Sequence, residues 1–186
     1  MNNNTTINPT KDKTYNNWRI DLNNASQYIS QITASLNIEH EMVSIEKTPD
    51  NGVLAWFDKF AGIDWIGKTP DNNLYGVAVR VQWTNNPFNS FTIRSDRHTG
   101  TKTEYQKRIE AIQHGYFYPA YTIQAYVDKT TDILLSAAIA KTKDLYEYVD
   151  KFSYEIANNK SDNNFKIVWW SKFQSRYQTI KIYEKP

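Results

Sequence analysis

The chain contains no cysteine among its 186 residues. This absence excludes a disulfide framework, a thiolate zinc site and a cysteine nucleophile. The sequence also lacks any apolar run approaching the ~18 residues that a membrane-spanning helix requires. Its N-terminus, Met1–Thr6, is polar and has neither the basic nor the apolar segment of a secretory signal. We therefore expect a cytoplasmic protein with no membrane partner.

Glycine and proline are scarce, with six of each, whereas aromatic residues reach 15% of the chain. A chain of this length and apolar content can bury a core, and it fits one domain. Residues 1–17 are rich in Asn, Thr and Lys, which predicts a flexible lead-in. We expect residues 18–186 to form the single domain.

Charge is distributed unevenly although the formal net charge is only +2. The segment Glu39–Tyr75 holds seven acids and three lysines, a formal charge of −4. The segment Arg80–Arg108 holds six bases and two acids, a formal charge of +4. An acidic stretch followed by a basic one suits a metal-dependent enzyme acting on a polyanion. Two solvated faces, or two segments that neutralise each other, are the alternatives.

Hydrophobic periodicity predicts one α/β domain with a mixed β-sheet flanked by helices. Apolar residues at helical spacing predict helices over Ala25–Leu36, Thr103–Gln113 and Asp144–Phe152. For the second helix, Thr101 with Glu104 or Thr103 with Gln106 offers a capping box. Alternating or continuous apolar residues predict strands over Glu41–Lys47, Val53–Phe57, Tyr75–Trp83, Phe91–Arg94, Tyr121–Val127, Leu134–Ala140, Phe165–Trp170 and Thr179–Tyr183.

The predicted strand Tyr75–Trp83 has two different faces, because side chains alternate along a strand. Its odd-numbered residues are all large and apolar, which predicts a core face. Its even-numbered residues end in Arg80 and Gln82, which therefore project from the same side. We expect seven apolar side chains of the fold to be buried: Val77, Val79, Val81, Ile109, Ile123, Leu135 and Ile139.

Asp64 lies inside a short apolar run, where a carboxylate must be paired, ligated or exposed at a strand end. Arg80 and Gln82 lie on the strand that follows. Glu39 and Glu41 lie nearby in the sequence and could supply a second carboxylate. Carboxylates beside basic residues are what Mg²⁺-assisted phosphodiester hydrolysis requires, because the metal activates water while basic groups hold the phosphates.

Three segments together resemble a known superfamily: Asp58–Ile66, Gly76–Gln82 and Thr103–Arg108. With the order helix, strands, helix, strand, they look like the restriction-endonuclease-like PD-(D/E)XK fold. They are also similar to small proteins of bacterial plasmids and phages, which are mobile elements. The resemblance implies a Mg²⁺-dependent nuclease acting on DNA. In it Asp64 is the metal ligand, Arg80 stands in place of the second acid, and Gln82 stands in place of the lysine.

Arg80 is the main departure from that pattern, because a guanidinium cannot ligate Mg²⁺ and would repel it. Either Glu39, Glu41 or Asp71 supplies the missing carboxylate, or the site binds no metal and Arg80 pairs with Asp64. Two functions therefore stay open. The first is a metal-dependent nuclease, and the second is a non-catalytic module of a mobile element that binds nucleic acid or protein. The candidate catalytic residues are Asp64, Arg80, Gln82 and Glu41.

Basic residues that follow the site could contact a phosphate backbone, since such contacts need positive charge and little else. An exposed loop and a solvated helix face are the alternatives. The candidates for nucleic-acid binding are Arg94, Arg97, Lys102, Lys107 and Arg108.

Trp169 and Trp170 are neighbours in a predicted strand, so one is expected in the core and the other partly exposed. This pair could pack in the core or in a homodimer interface, or it could stack on nucleobases.

Overall fold

The computed structural model describes residues 26–45, 57, 61–96, 102–152, 156–158 and 164–186. The predicted lead-in over residues 1–17 lies outside the described residues. So does the predicted strand Val53–Phe57, except for Phe57 itself. Arg97, a candidate for nucleic-acid binding, also lies outside them.

Helices separate runs of strands along the described chain, in the predicted order, with one additional short helix among the terminal strands. We number them in chain order. They are α1 Ile29–Ser35, β1 Glu41–Ser44, β2 Trp65–Lys68, β3 Leu74–Trp83, β4 Ser90–Arg94, α2 Glu104–His114, β5 Tyr121–Val127, β6 Leu134–Lys141, α3 Thr142–Lys151, β7 Ile156–Asn158, β8 Asn164–Trp169, α4 Trp170–Gln174 and β9 Lys181–Glu184.

The strands form a six-stranded sheet in the order β1-β2-β3-β5-β6-β9 and a three-stranded sheet in the order β4-β8-β7. In the large sheet β3 and β5 run parallel, with Val77 opposite Tyr121 and Trp83 opposite Val127. The other pairs in both sheets are antiparallel. The chain between β3 and β5 contains α2, because parallel neighbours need a long crossover. The predicted mixed sheet flanked by helices is confirmed.

Local signals in the sequence mark the ends of α2. The Thr103 hydroxyl accepts the backbone N–H of Gln106 at 3.3 Å, and the Gln106 side chain accepts the Thr103 N–H at 2.9 Å. These two bonds form the predicted capping box, which satisfies donors left free at a helix start. Gly115 ends the helix with a φ of 68°, in the left-handed region.

One core lies on the odd-numbered face of β3. Val77 packs there with Tyr28, Ile32 and Leu36, which come from α1 and the residues beside it. Val79 and Val81, expected to be buried, are only half-buried. The described residues therefore leave the middle of this face of β3 partly accessible, between Val77 and Trp83, although Tyr28 contacts Trp83.

Two further residues that were expected to be buried, Leu135 and Ile109, are only half-buried. Ile123 and Ile139 are buried as expected, but Leu135 is half-buried while Leu134 is buried. A register shift between β5 and β6 at Tyr126 and Val127 pairs Leu134 with Val127, which changes the alternation there. Ile109 of α2, also expected to be buried, is half-buried.

The second core lies on the opposite face of the large sheet, under α2, α3, α4 and the small sheet. The small sheet contributes Phe91 and Val168, and α3 contributes Tyr146. Trp170 is 1% exposed in this core, whereas Trp169 is half-buried, as predicted for that pair. Trp170 begins the helix α4, where the sequence predicted the end of a strand. Arg80 and Gln82 face this side of the sheet, next to β4 and the start of α2.

Candidate functional site

A cleft of about 290 Å³ lies between the large sheet, the strand β4 and the helix α2. Its wall combines side chains from four elements that are distant in sequence. We call it the arginine cleft. Its polar lining is Asp64, Arg80, Thr92, Arg94, Glu104, Arg108, Thr122 and Gln124.

Asp64 immediately precedes β2, and its backbone N–H donates to the Val77 carbonyl at 2.9 Å. Its carboxylate Oδ2 accepts the backbone N–H of Val79 at 2.6 Å. The main chain of β3 therefore holds this half-buried carboxylate at the edge of the cleft.

Arg80 reaches from β3 to two other elements. Its Nη1 donates to the Thr92 carbonyl at 2.7 Å and to the Thr92 hydroxyl at 3.2 Å. Its Nη2 lies 3.5 Å from Oε2 of Glu104, and both side chains are about 30% exposed, at 28% and 30%. The sequence proposed Asp64 as the partner of Arg80, but in the structure the start of α2 lies over β3 and presents Glu104 instead.

Arg108 is 5% exposed, which is rare for an arginine unless its charge is satisfied. Its two terminal nitrogens donate to the carbonyls of Ala61 and Gly62, the second at 3.2 Å. Gly62 has a φ of 60°, and a Cβ built there would lie 3.1 Å from Nη2 of Arg108. A glycine is therefore needed both for the backbone conformation and for the approach of the guanidinium.

Tyr146 of the second core contacts Glu104, one of the residues that line the cleft. Its hydroxyl donates to Oε1 of Glu104 at 3.2 Å. Complete burial and the nearby Glu104 carboxylate raise the pKa of Tyr146 far above its usual value, so the phenol stays protonated. Glu104 consequently accepts from a neutral donor on one oxygen and faces Arg80 with the other.

Gln82 belongs to the same face of β3 as Arg80 but lines an adjoining groove rather than the cleft itself. Its Oε1 accepts from Nε2 of Gln124 at 3.3 Å. Oε1 of Gln124 in turn accepts the Thr92 hydroxyl at 3.1 Å. A chain of amides and a hydroxyl thus joins β3, β5 and β4.

The three acids proposed as second carboxylates lie elsewhere. Glu41 is exposed at the end of β1 opposite Lys68, whereas Asp64 adjoins the other end of β2. Glu39 lines a cavity of about 320 Å³ with Tyr75, on the opposite face of β3. Asp71 is exposed in the turn that follows β2. Antiparallel register and strand alternation separate all three from the arginine cleft, so placing Glu41 at the site was wrong.

Glu104 is the carboxylate that the structure brings to Asp64, and the sequence did not single it out as a site acid. The sequence signal that could have indicated Glu104 is its position in the first turn of the helix that connects β3 to β5. Only the packing of that helix on the sheet reveals which way the side chain points.

Two of the five proposed nucleic-acid-binding residues line the cleft, Arg94 and Arg108. Lys102 is exposed and lies 2.6 Å from Oε2 of Glu110. Lys107 is exposed on α2 and is not one of the lining residues. The positive charge at the cleft therefore comes from arginines on three different elements.

The resemblance implied a Mg²⁺ ion, so the fit of the cleft to a cation matters. Among the residues that the structure describes, no three His, Cys, Asp or Glu side chains come together. Asp64 and Glu104 both accept hydrogen bonds from protein donors, and three guanidinium groups share the cleft with them. A divalent cation would meet net repulsion there. The described residues do not fit Mg²⁺, whereas they fit an anion.

No helix within the described ranges is long and apolar enough to cross a membrane. Comparison with known proteins finds no matching family model and no matching curated protein.

Proposed function

We propose that the protein is a non-catalytic nucleic-acid-binding protein with a restriction-endonuclease-like fold, and that its arginine cleft binds the phosphate backbone. The convergence of Arg80, Arg94 and Arg108 on one cleft carries this proposal. Among the residues that the structure describes, these three arginines and two carboxylates line the cleft, a formal charge of +1 that favours an anion.

The topology supports the fold assignment. In the large sheet the chain runs helix, three antiparallel strands, crossover helix and parallel strand, through α1, β1, β2, β3, α2 and β5, with β4 of the small sheet inserted between β3 and α2. This is the order of elements on which the resemblance rests. In the resemblance, Asp64, which immediately precedes β2, and the pair Arg80 and Gln82 on β3 correspond to the motif residues. The arginine cleft lies beside them.

The chemistry of arginine supports a phosphate ligand. A guanidinium presents planar N–H donors that match two oxygens of one phosphate. Arg80 and Arg94 are half-buried, so each can keep its protein contacts and still reach a ligand. Arg108 is buried and contributes a fixed positive charge at the floor. Contacts of this kind bind the backbone without reading bases.

Mg²⁺-dependent cleavage of DNA is the second candidate, and the position of Asp64 favours it. Asp64 projects into the same cleft as the polar face of β3, as the metal ligand of the motif would. Arg80 and the hydrogen bonds that engage both carboxylates argue against it. The two functions differ in whether the bound strand is broken.

Binding and cleavage are measured on the same labelled oligonucleotides, single-stranded and duplex. Fluorescence anisotropy in EDTA should show binding that Arg80→Gln and Arg94→Gln each weaken. Lys68→Gln, which removes one charge at the far end of β2, should leave the affinity within about twofold of wild type, because an exposed distant charge is screened. Absence of binding at low salt would overturn the proposal.

Incubation with Mg²⁺ or Mn²⁺, followed by electrophoresis, tests the second candidate. We expect intact strands. Cleavage that Asp64→Ala abolishes would establish the nuclease instead, whereas cleavage that survives Asp64→Ala would come from another site or a contaminant.

A further inference from the structure

Another cavity, also of about 290 Å³, adjoins the arginine cleft. Thr92 lines both. The new cavity has an apolar wall of Phe88, Phe165, Ile167 and Trp169, with Gln82 and Thr92 along a polar edge. We call it the aromatic groove.

The alternation of β8 creates this wall. Val168 points into the second core with Phe91, so Phe165, Ile167 and Trp169 project from the other face of the small sheet. They form a row that extends about 13 Å along the strand. Phe88 faces them and is 60% exposed. These three side chains of β8 are half-buried, so part of each remains accessible.

Positive charge lies at one end of the row. The guanidinium carbons of Arg80 and Arg94 are each 5.6 Å from the ring centroid of Phe165. Both arginines also line the arginine cleft. The aromatic surface and the phosphate-binding surface are therefore continuous at Phe165.

We propose that the aromatic groove binds unpaired nucleobases of a single-stranded nucleic acid whose phosphates occupy the arginine cleft. This inference rests on the proposed function and adds the class of ligand. Aromatic side chains displayed on a sheet stack on two or three successive bases, and a duplex hides those base faces. Arginines beside the groove match the charge of the flanking phosphates.

Gln82 gives the groove a polar contact. Its side-chain oxygen accepts from Gln124, and its amide nitrogen carries two donor hydrogens at the edge of the groove. Such donors can bond to acceptor atoms on the edge of a stacked base. Stacking itself accepts any base, so we expect weak sequence preference.

Three labelled probes of equal length test the inference with the wild-type protein. They are a single strand, the same strand with abasic sites throughout, and the duplex. We expect the single strand to bind at least about fivefold more tightly than the abasic strand, which is the smallest effect of one stacked base. The duplex should also bind more weakly than the single strand. Equal affinity for all three probes would overturn this inference but not the proposed function, whereas no binding to any probe would overturn both.

Substitutions locate the stacking surface. Phe88→Ala and Trp169→Leu should each weaken binding of the single strand about fivefold or more and leave the abasic strand unchanged. Tyr116→Ala is the matched control, because Tyr116 is 59% exposed and lies outside the groove. A loss of the same size on the abasic strand would contradict stacking at these residues.

Discussion

Replacing Glu104 by Gln distinguishes between two hypotheses, that the arginine cleft binds an anion and that it binds a metal ion. The substitution keeps an acceptor oxygen for the Tyr146 hydroxyl, which lies 3.2 Å from Oε1, and it removes one negative charge. The formal charge of the arginine cleft then rises from +1 to +2. If the ligand is a phosphate, Glu104→Gln should bind it more tightly. If the ligand is Mg²⁺, the same change should weaken it.

The size of the effect follows from Coulomb's law. At a separation of about 6 Å in a water-like dielectric, one removed charge changes the energy of a phosphate by about 0.7 kcal/mol, or about threefold in affinity. The ion pair with Arg80 is about 30% exposed on both sides, at 28% and 30%. Losing that pair and a carboxylate in the first turn of α2 should cost about 1 kcal/mol of stability, so the variant should stay folded.

Anisotropy titrations of a labelled single strand, in EDTA, compare wild type, Glu104→Gln and Glu41→Gln. The last variant removes the same charge from an exposed position at the far end of β1. We expect the gain for Glu104→Gln alone. Weaker binding by Glu104→Gln, with unchanged circular dichroism, would refute the argument that Glu104 opposes the ligand.

Three further predictions concern stability. Arg108→Met should lower the free energy of unfolding by about 2–4 kcal/mol in urea, because two hydrogen bonds from a charged donor are lost, whereas Lys107→Met on the exposed face should have little effect. Equal effects of the two substitutions would contradict the role assigned to the buried guanidinium. Thr103→Ala should cost about 1 kcal/mol by removing the capping box, and an unchanged melting temperature would count against that cap. Stability should also fall as pH rises above about 10, because the unfolded chain then releases the Tyr146 proton while the folded state, with its raised pKa, retains it. The slope for one such group is at most about 1.4 kcal/mol per pH unit, and Tyr146→Phe should reduce the alkaline loss seen in urea titrations at several pH values.

Local periodicity predicted much of the fold because the signal lies within each segment. The bounds of β5, Tyr121–Val127, agree with the prediction to the residue. The capping box likewise depends on only four consecutive residues, Thr103 to Gln106. The two faces of β3 follow from alternation alone, so the common side of Arg80 and Gln82 needed no tertiary information.

Features that depend on long-range packing were missed. Glu104 and Asp64 lie forty residues apart, and only the crossover of α2 over β3 brings them to one cleft. The burial of Arg108 depends on two carbonyls from the segment before β2, which no local pattern indicates. The pairing of Leu134 with Val127 depends on a register shift between strands. Glu41 was misplaced for the same reason, since the register of β1 against β2 decides which end it occupies.

Nuclear magnetic resonance of the ¹⁵N-labelled protein tests the central claim most directly, because it locates the ligand on the molecule. A single-stranded oligonucleotide is titrated in EDTA while the backbone amide signals are followed. We predict saturable shifts at Val79, Thr92 and Gln124, which line the arginine cleft, and unchanged signals at Glu39 and His40 on the opposite face of the sheet. Shifts confined to Glu39 and His40, or no shifts at a saturating concentration, would contradict the claim that the arginine cleft binds nucleic acid.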